Sequence, residues 1–78
     1  MHLKILFFGQ LTDITQTTKM DLNESLSTAF ELDAFLKKEF PDFKNHKYQI
    51  AINQKIINTD INLNEGDEIA FLPPFSGG

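Results

Sequence analysis

Apolar and polar residues alternate through residues 2–8, HLKILFF, so that Leu3, Ile5 and Phe7 share one face and His2, Lys4, Leu6 and Phe8 the other. A period of two is that of a β-strand with one buried face. The second face begins polar and turns apolar at Leu6 and Phe8, before Gly9 breaks the run. Residues 11–16 suit a short helical turn and a loop equally. Residues 17–22, TTKMDL, alternate weakly and predict a second strand with Thr18, Met20 and Leu22 directed inward.

The period then changes. Thr28 is followed three residues later by Glu31, the spacing of a reciprocal helix-capping pair. Leu32, Phe35, Leu36 and Phe40 recur at helical intervals, with Asp33, Lys37 and Lys38 on the opposite face. Acidic residues lie near the positive end of the helix dipole and lysines near the negative end, and Pro41 stops the run. One amphipathic helix is predicted over about residues 28–40. Phe30, Phe35, Phe40 and Phe43, at near-helical spacing, read as core or staple residues. Asp42, Asn45 and the lysines around them read as a solvated loop.

Residues 47–53, KYQIAIN, predict a third strand with Tyr48, Ile50 and Ile52 on one face. Asn53-Gln54 reads as a turn, residues 55–58 as a short return strand, and residues 64–67, NEGD, as a turn by composition. The last strand, residues 68–72, EIAFL, directs Ile69 and Phe71 inward and Ala70 and Leu72 outward. The strongest inward triplets belong to the first and last strands, so these are expected to be central neighbours, parallel if the helix covers both. The expected fold class is α+β: a β-grasp, ubiquitin-like mixed sheet of about five strands with one main helix packed on one face, the alternative being another small α+β sandwich of the same layers. Residues 1–72 form the domain and residues 73–78 an extended tail.

Seventy-eight residues allow one core and little more. A chain this short buries only roughly 60% of its unfolded surface, so a private catalytic cleft is not expected. The net charge of -4 argues against nucleic acid, which asks for clustered basic residues. The apolar run from Ile5 to Phe8 is too short for a signal peptide or a membrane span. The sequence has no cysteine, hence no disulfide and no thiolate metal site, and a cytoplasmic location is the default expectation. His2 and His46 lack spaced partners, so no metal site is expected. Asp67 and Glu68 point to opposite faces and do not form an acid–base pair; Asp67 is expected to serve the turn.

The most informative stretch is LPPFSGG, residues 72–78. Pro73 and Pro74 fix φ and cannot donate to a ladder, and each residue before a proline is pushed to extended conformations. The chain should leave the sheet as a stiff arm. Gly77 and Gly78 lack a Cβ and can enter a slot too narrow for other residues, delivering an α-carboxylate. Such a carboxylate, once activated as a mixed anhydride with AMP, can become an amide, a thioester or a thiocarboxylate. Leu6, Phe8, Ala70 and Leu72 should form an apolar patch on the outer sheet face near the tail's root, extended by Phe75, and such a patch reads as a docking surface.

LNEGDEIAFLPPFSGG resembles the C-terminus of the molybdopterin synthase small-subunit family, a sulfur-carrier branch of the ubiquitin-like proteins, in its GDE turn, apolar strand, Pro-Pro and Gly-Gly. ILFFGQL resembles that family's opening strand with its Phe-Phe pair, and TAFELDAFLKKEFP its first helix; AIN is shared with other sulfur carriers. The resemblance implies a sulfur-donating subunit whose catalytic side chains belong to a partner. An ATP-dependent activating enzyme would adenylate Gly78, and a sulfur donor would convert it to a thiocarboxylate. The arm Pro73, Pro74, Phe75, Ser76 and Gly77 would then insert into the synthase large subunit, which passes the sulfur to a pterin precursor. ATP would be bound by the partner, with no cofactor on this chain. A carrier for another pathway, such as the thiamine thiazole, and a protein modifier joined through Gly78 to lysines are the alternative readings.

Overall fold

The computed structural model describes residues 1–74. Strand β1 (His2–Phe7) is followed by a short helix α1 (Leu11–Thr15), strand β2 (Lys19–Asn23), the main helix α2 (Ala29–Glu39), a 3-10 helix (Pro41–Asn45), and strands β3 (Gln49–Ile52), β4 (Lys55–Ile57) and β5 (Glu68–Leu72). The five strands form one mixed sheet in the order β2-β1-β5-β3-β4. The first and last strands are central and parallel, with Ile5 beside Ile69 and Phe7 beside Phe71. All other neighbours are antiparallel. The expected α+β, β-grasp arrangement of sheet and helix is what the chain adopts.

Alternation decides which residues become core. Leu3, Ile5, Phe7, Ile69 and Phe71 are almost fully buried on one sheet face, beneath Ala29, Leu32 and Leu36 of α2. Thr28 caps α2 as its spacing predicts: its hydroxyl accepts from the Glu31 N–H, and the Glu31 carboxylate accepts from the Thr28 N–H. Loop residues also hold this end, since the Ala29 N–H donates to the Ile61 carbonyl and the Phe30 N–H to the Asp60 carboxylate.

Three expectations need correction. Thr18 does not face inward; it is exposed and precedes β2, which starts at Lys19, while its carbonyl accepts from the Phe7 N–H. Phe30 is not a core residue but 50% exposed, because it lies on the flank of α2 that turns away from the sheet. The segment after Pro41 is not a plain solvated loop. Asp42 and Asn45 are exposed and bonded to each other, but the 3-10 turn they close drives Phe43 into the centre of the core. The Phe43 ring there meets Phe7, Phe40, Tyr48 and Phe71, all with centroids within 6.2 Å, arrangements in which aromatic quadrupoles add to burial.

The two tight turns are tied to the sheet. Asn53 and Gln54 both have positive φ, the geometry of a two-residue hairpin matched to sheet twist. The Asn53 amide donates to Asp67 Oδ1, and its side-chain oxygen accepts from the Glu68 N–H. Asp67, buried, also accepts from the Asn64 N–H at 2.7 Å. Asp67 thus serves the turn, as expected, and also locks the β3–β4 hairpin to the start of β5. Gly66 between them has φ +82°, which favours glycine although a side chain would meet nothing.

Tyr48, just before β3, donates its hydroxyl to Asp33 of α2, whose other oxygen pairs with Lys37 at 3.2 Å. Burial, and then the Asp33 carboxylate, push the Tyr48 phenol well above its ordinary value. Below about pH 10 folded and unfolded chains both hold the proton. Above it the unfolded chain releases the proton while the folded one retains it, so stability falls with rising pH. Urea midpoints measured across this range should show that decline, and Tyr48→Phe should flatten it. Phe43→Ala should cost about 3–5 kcal/mol, read as a large drop in the urea midpoint; a change below 1 kcal/mol, roughly the scale of a surface substitution, would contradict the packing described.

Candidate functional site: the outer sheet face and the root of the tail

The same alternation that fills the core builds a second surface. On the face away from α2, cross-strand pairing sets Lys19, Leu6, Ala70, Ala51 and Ile56 side by side from one edge of the sheet to the other. Toward the tail, Leu72 pairs with Gln49, and Phe8 continues β1 by donating its N–H to the Phe71 carbonyl at 3.1 Å. Phe8 is 44% exposed and Ile56 53% exposed, whereas Leu6, Ala70 and Leu72 are half-buried. The two central alanines leave a hollow of about 320 Å³ walled by Leu6, Phe8, Leu72 and Ile56. Opposing large residues across a small-residue floor suit a bulky apolar side chain of another molecule.

One polar atom on this face is not satisfied. Gln49 Oε1 is buried and has no hydrogen-bond partner among the described residues. A buried acceptor without a donor costs free energy, and a donor brought by a docking molecule would recover it.

The predicted patch residues Leu6, Phe8, Ala70 and Leu72 are therefore brought together at the root of the tail. Ile56 and Ala51 belong with them and were not read from the sequence. Their signal was present: in KII two successive isoleucines cannot both face the core, and in QIAI the alanine alternates with two buried isoleucines.

Gly9 also belongs to the site. It has φ +62°, and a Cβ placed on it would lie 2.9 Å from Cγ of Pro73. The loop after β1 and the first residue of the arm are thus in direct contact, and the small residue lets Pro73 lie flat against the backbone. Pro73 and Pro74 are exposed and leave β5 between this loop on one side and His46-Lys47 on the other. Phe75, Ser76, Gly77 and Gly78, the remaining predicted arm and reactive residues, lie outside the described residues.

Among the described residues no three His, Asp or Glu side chains gather to hold a metal ion. His2 pairs with Asp21 at 3.3 Å and His46 with Asp42 at 3.7 Å, both at the surface. Among the same residues no helix is long and apolar enough to cross a membrane.

This arrangement is shared with known proteins. The ThiS family profile matches residues 5–78. Molybdopterin synthase sulfur carrier subunits are similar over nearly their whole length: that of Dictyostelium discoideum is 36% identical, covering 96% of this chain and 94% of its own, and that of Escherichia coli K12 is 29% identical, covering 97% and 99%. Among solved structures, a chain of the complex of subunits 1 and 2 of the molybdopterin-converting factor of Helicobacter pylori superposes with a TM-score of 0.72 at 26% identity, both chains covered in full. The small archaeal modifier protein 1 of Haloferax volcanii, 17% identical with a TM-score of 0.78 over the whole of both chains, shares the fold. The chain belongs to the ThiS family, and within it stands with the molybdopterin synthase sulfur carrier subunits.

Proposed function

We propose that this protein carries sulfur on its C-terminal glycine for the assembly of molybdopterin. The observation that carries the reading is the similarity to molybdopterin synthase sulfur carrier subunits, which extends over nearly the whole chain, with the family profile running through Gly78. The Gly78 carboxylate attacks the α-phosphate of ATP held by an activating enzyme, releasing pyrophosphate and forming an acyl-adenylate. A sulfur nucleophile then displaces AMP and leaves a thiocarboxylate. The loaded tail enters the large subunit of the synthase, whose side chains direct the sulfur to a pterin precursor, and water restores the carboxylate. Pro73 and Pro74 stiffen the arm, Phe75 and Ser76 extend it, and Gly77 and Gly78 pass the narrowest part of the channel.

Everything this scheme asks of the chain is positional. The tail must project at a fixed angle beside a surface that two partners grip in turn. The contact between Gly9 and Pro73 supports the first requirement, and the hollow on the outer sheet face supports the second. ATP belongs to the activating partner, and no cofactor is assigned to this chain. A cytoplasmic location is part of the same reading.

The decisive measurement is intact mass after incubation with the activating enzyme, ATP and a sulfur donor. The expected result is a gain equal to one oxygen exchanged for sulfur, absent when Gly78 is deleted or a residue is added after it. A chain that gains no mass, yet appears joined to lysines of other proteins, would replace this reading with that of a modifier. Phe8→Asp should weaken binding to the large subunit at least about tenfold, roughly 1.4 kcal/mol, with little change in the urea midpoint. Equal losses of binding and stability would instead make Phe8 part of the core.

A further inference from the structure

The charge of this protein is unevenly distributed. Residues 37–47 hold four of its seven lysines, Lys37, Lys38, Lys44 and Lys47, together with His46 and only two carboxylates, Glu39 and Asp42. The other residues hold three lysines against nine carboxylates. An acidic protein therefore has a net-positive stretch, made by the end of α2, the 3-10 helix and the segment leading into β3.

That stretch lies against the tail. A groove of about 570 Å³ runs between Lys37, Lys44, His46 and Lys47, floored by Phe43, with Pro74 at its end. His46 and Lys47 also line the smaller cleft across the arm, toward Gly9 and Pro73. The cations thus flank the stem of the tail itself. Asp33 sits in the groove but is committed, since it accepts from Tyr48 and pairs with Lys37. No described carboxylate pairs with Lys44 or Lys47, and both are exposed.

We propose that this groove is a docking site for an aspartate- and glutamate-bearing segment of the protein that receives the tail. The inference rests on the carrier reading for the identity of that protein, but its charge argument does not. Charge complementarity selects the occupant: an acidic segment is attracted to this net-positive stretch, whereas the remaining residues carry three lysines against nine carboxylates. Its docking would orient the arm before the apolar hollow on the adjoining sheet face engages. Electrostatic contacts of this type raise the rate of encounter more than the lifetime of the complex, which suits a carrier that must leave one partner for another.

The test is the association rate of the full chain with the activating enzyme and with the large subunit, followed by stopped flow at low and at high salt. Lys44→Glu and Lys47→Glu should each slow association with at least one of them by about threefold or more at low salt. The difference should vanish near 1 M salt, where screening acts within about 3 Å. Lys55→Glu, which changes net charge equally on edge strand β4 outside the groove's lining, should have a smaller effect. Equal slowing by all three variants, or by none, overturns the groove while leaving the carrier reading intact.

If the unaltered chain engages neither protein, the carrier reading fails and the groove is judged alone. A short capped oligoglutamate peptide titrated into the isotope-labelled chain should then shift the backbone resonances of residues 43–47. Shifts confined to other regions, no shifts, or the same shifts from inorganic phosphate or single-stranded RNA overturn the proposal.

Discussion

The pairing of β1 with β5 is the constraint on which the rest of this structure depends. It joins the two ends of the chain in the middle of the sheet, residue against residue from Lys4 and Glu68 to Phe7 and Phe71. The other strands build outward from this pair: β2 on β1, β3 on β5, and β4 on β3. The aromatic centre forms around it as well, since Phe7 and Phe71 come from its two strands and Phe43 closes over both. The departure of the tail is equally its product. Leu72 ends β5 beside the loop that follows β1, so Pro73 is delivered onto Gly9 of that loop.

Two surfaces, one buried and one outward, are written on the same few residues. Along β5, Ile69 and Phe71 are fully buried while Ala70 and Leu72 face outward, and along β1 the same division separates Ile5 and Phe7 from Leu6 and Phe8. A strand period of two makes this economical in a small protein. It also means that a slip of one residue in register would exchange core and outer face together. The Asn53–Asp67–Asn64 hydrogen bonds at the start of β5 are placed where they oppose such a slip.

Much of this was legible in the amino-acid order, for identifiable reasons. The bounds of β5, the capped helix and the central parallel pair follow from strict alternation, a capping pair and the two most apolar strands. What escaped was decided by tertiary contact. Thr18 looked like a strand residue because TTKMDL alternates, but its neighbours left it at the surface. Phe30 fitted the helical spacing, but the helix rotates it toward solvent. The 3-10 turn carries polar residues on both sides of Phe43, and only the packing of that ring against four others shows what the turn is for. Of the candidate site, the apolar patch could be read from the outward residues of two strands, whereas Ile56, Gly9 and the cationic groove become part of it only through cross-strand register and the direction in which the arm leaves.

Because β5 follows every other described strand and occupies the centre, the sheet cannot close around its core until residues 68–72 have been made. Pairing the first strand with the last is a long-range contact whose ordering entropy must be met before burial rewards it. The order of synthesis therefore acts as a form of quality control. A chain interrupted before β5 lacks Ile69 and Phe71, and with them the floor of its core, so it offers neither a stable domain nor an arm. Closure of the core and the seating of Pro73 against Gly9 therefore both wait on the same strand.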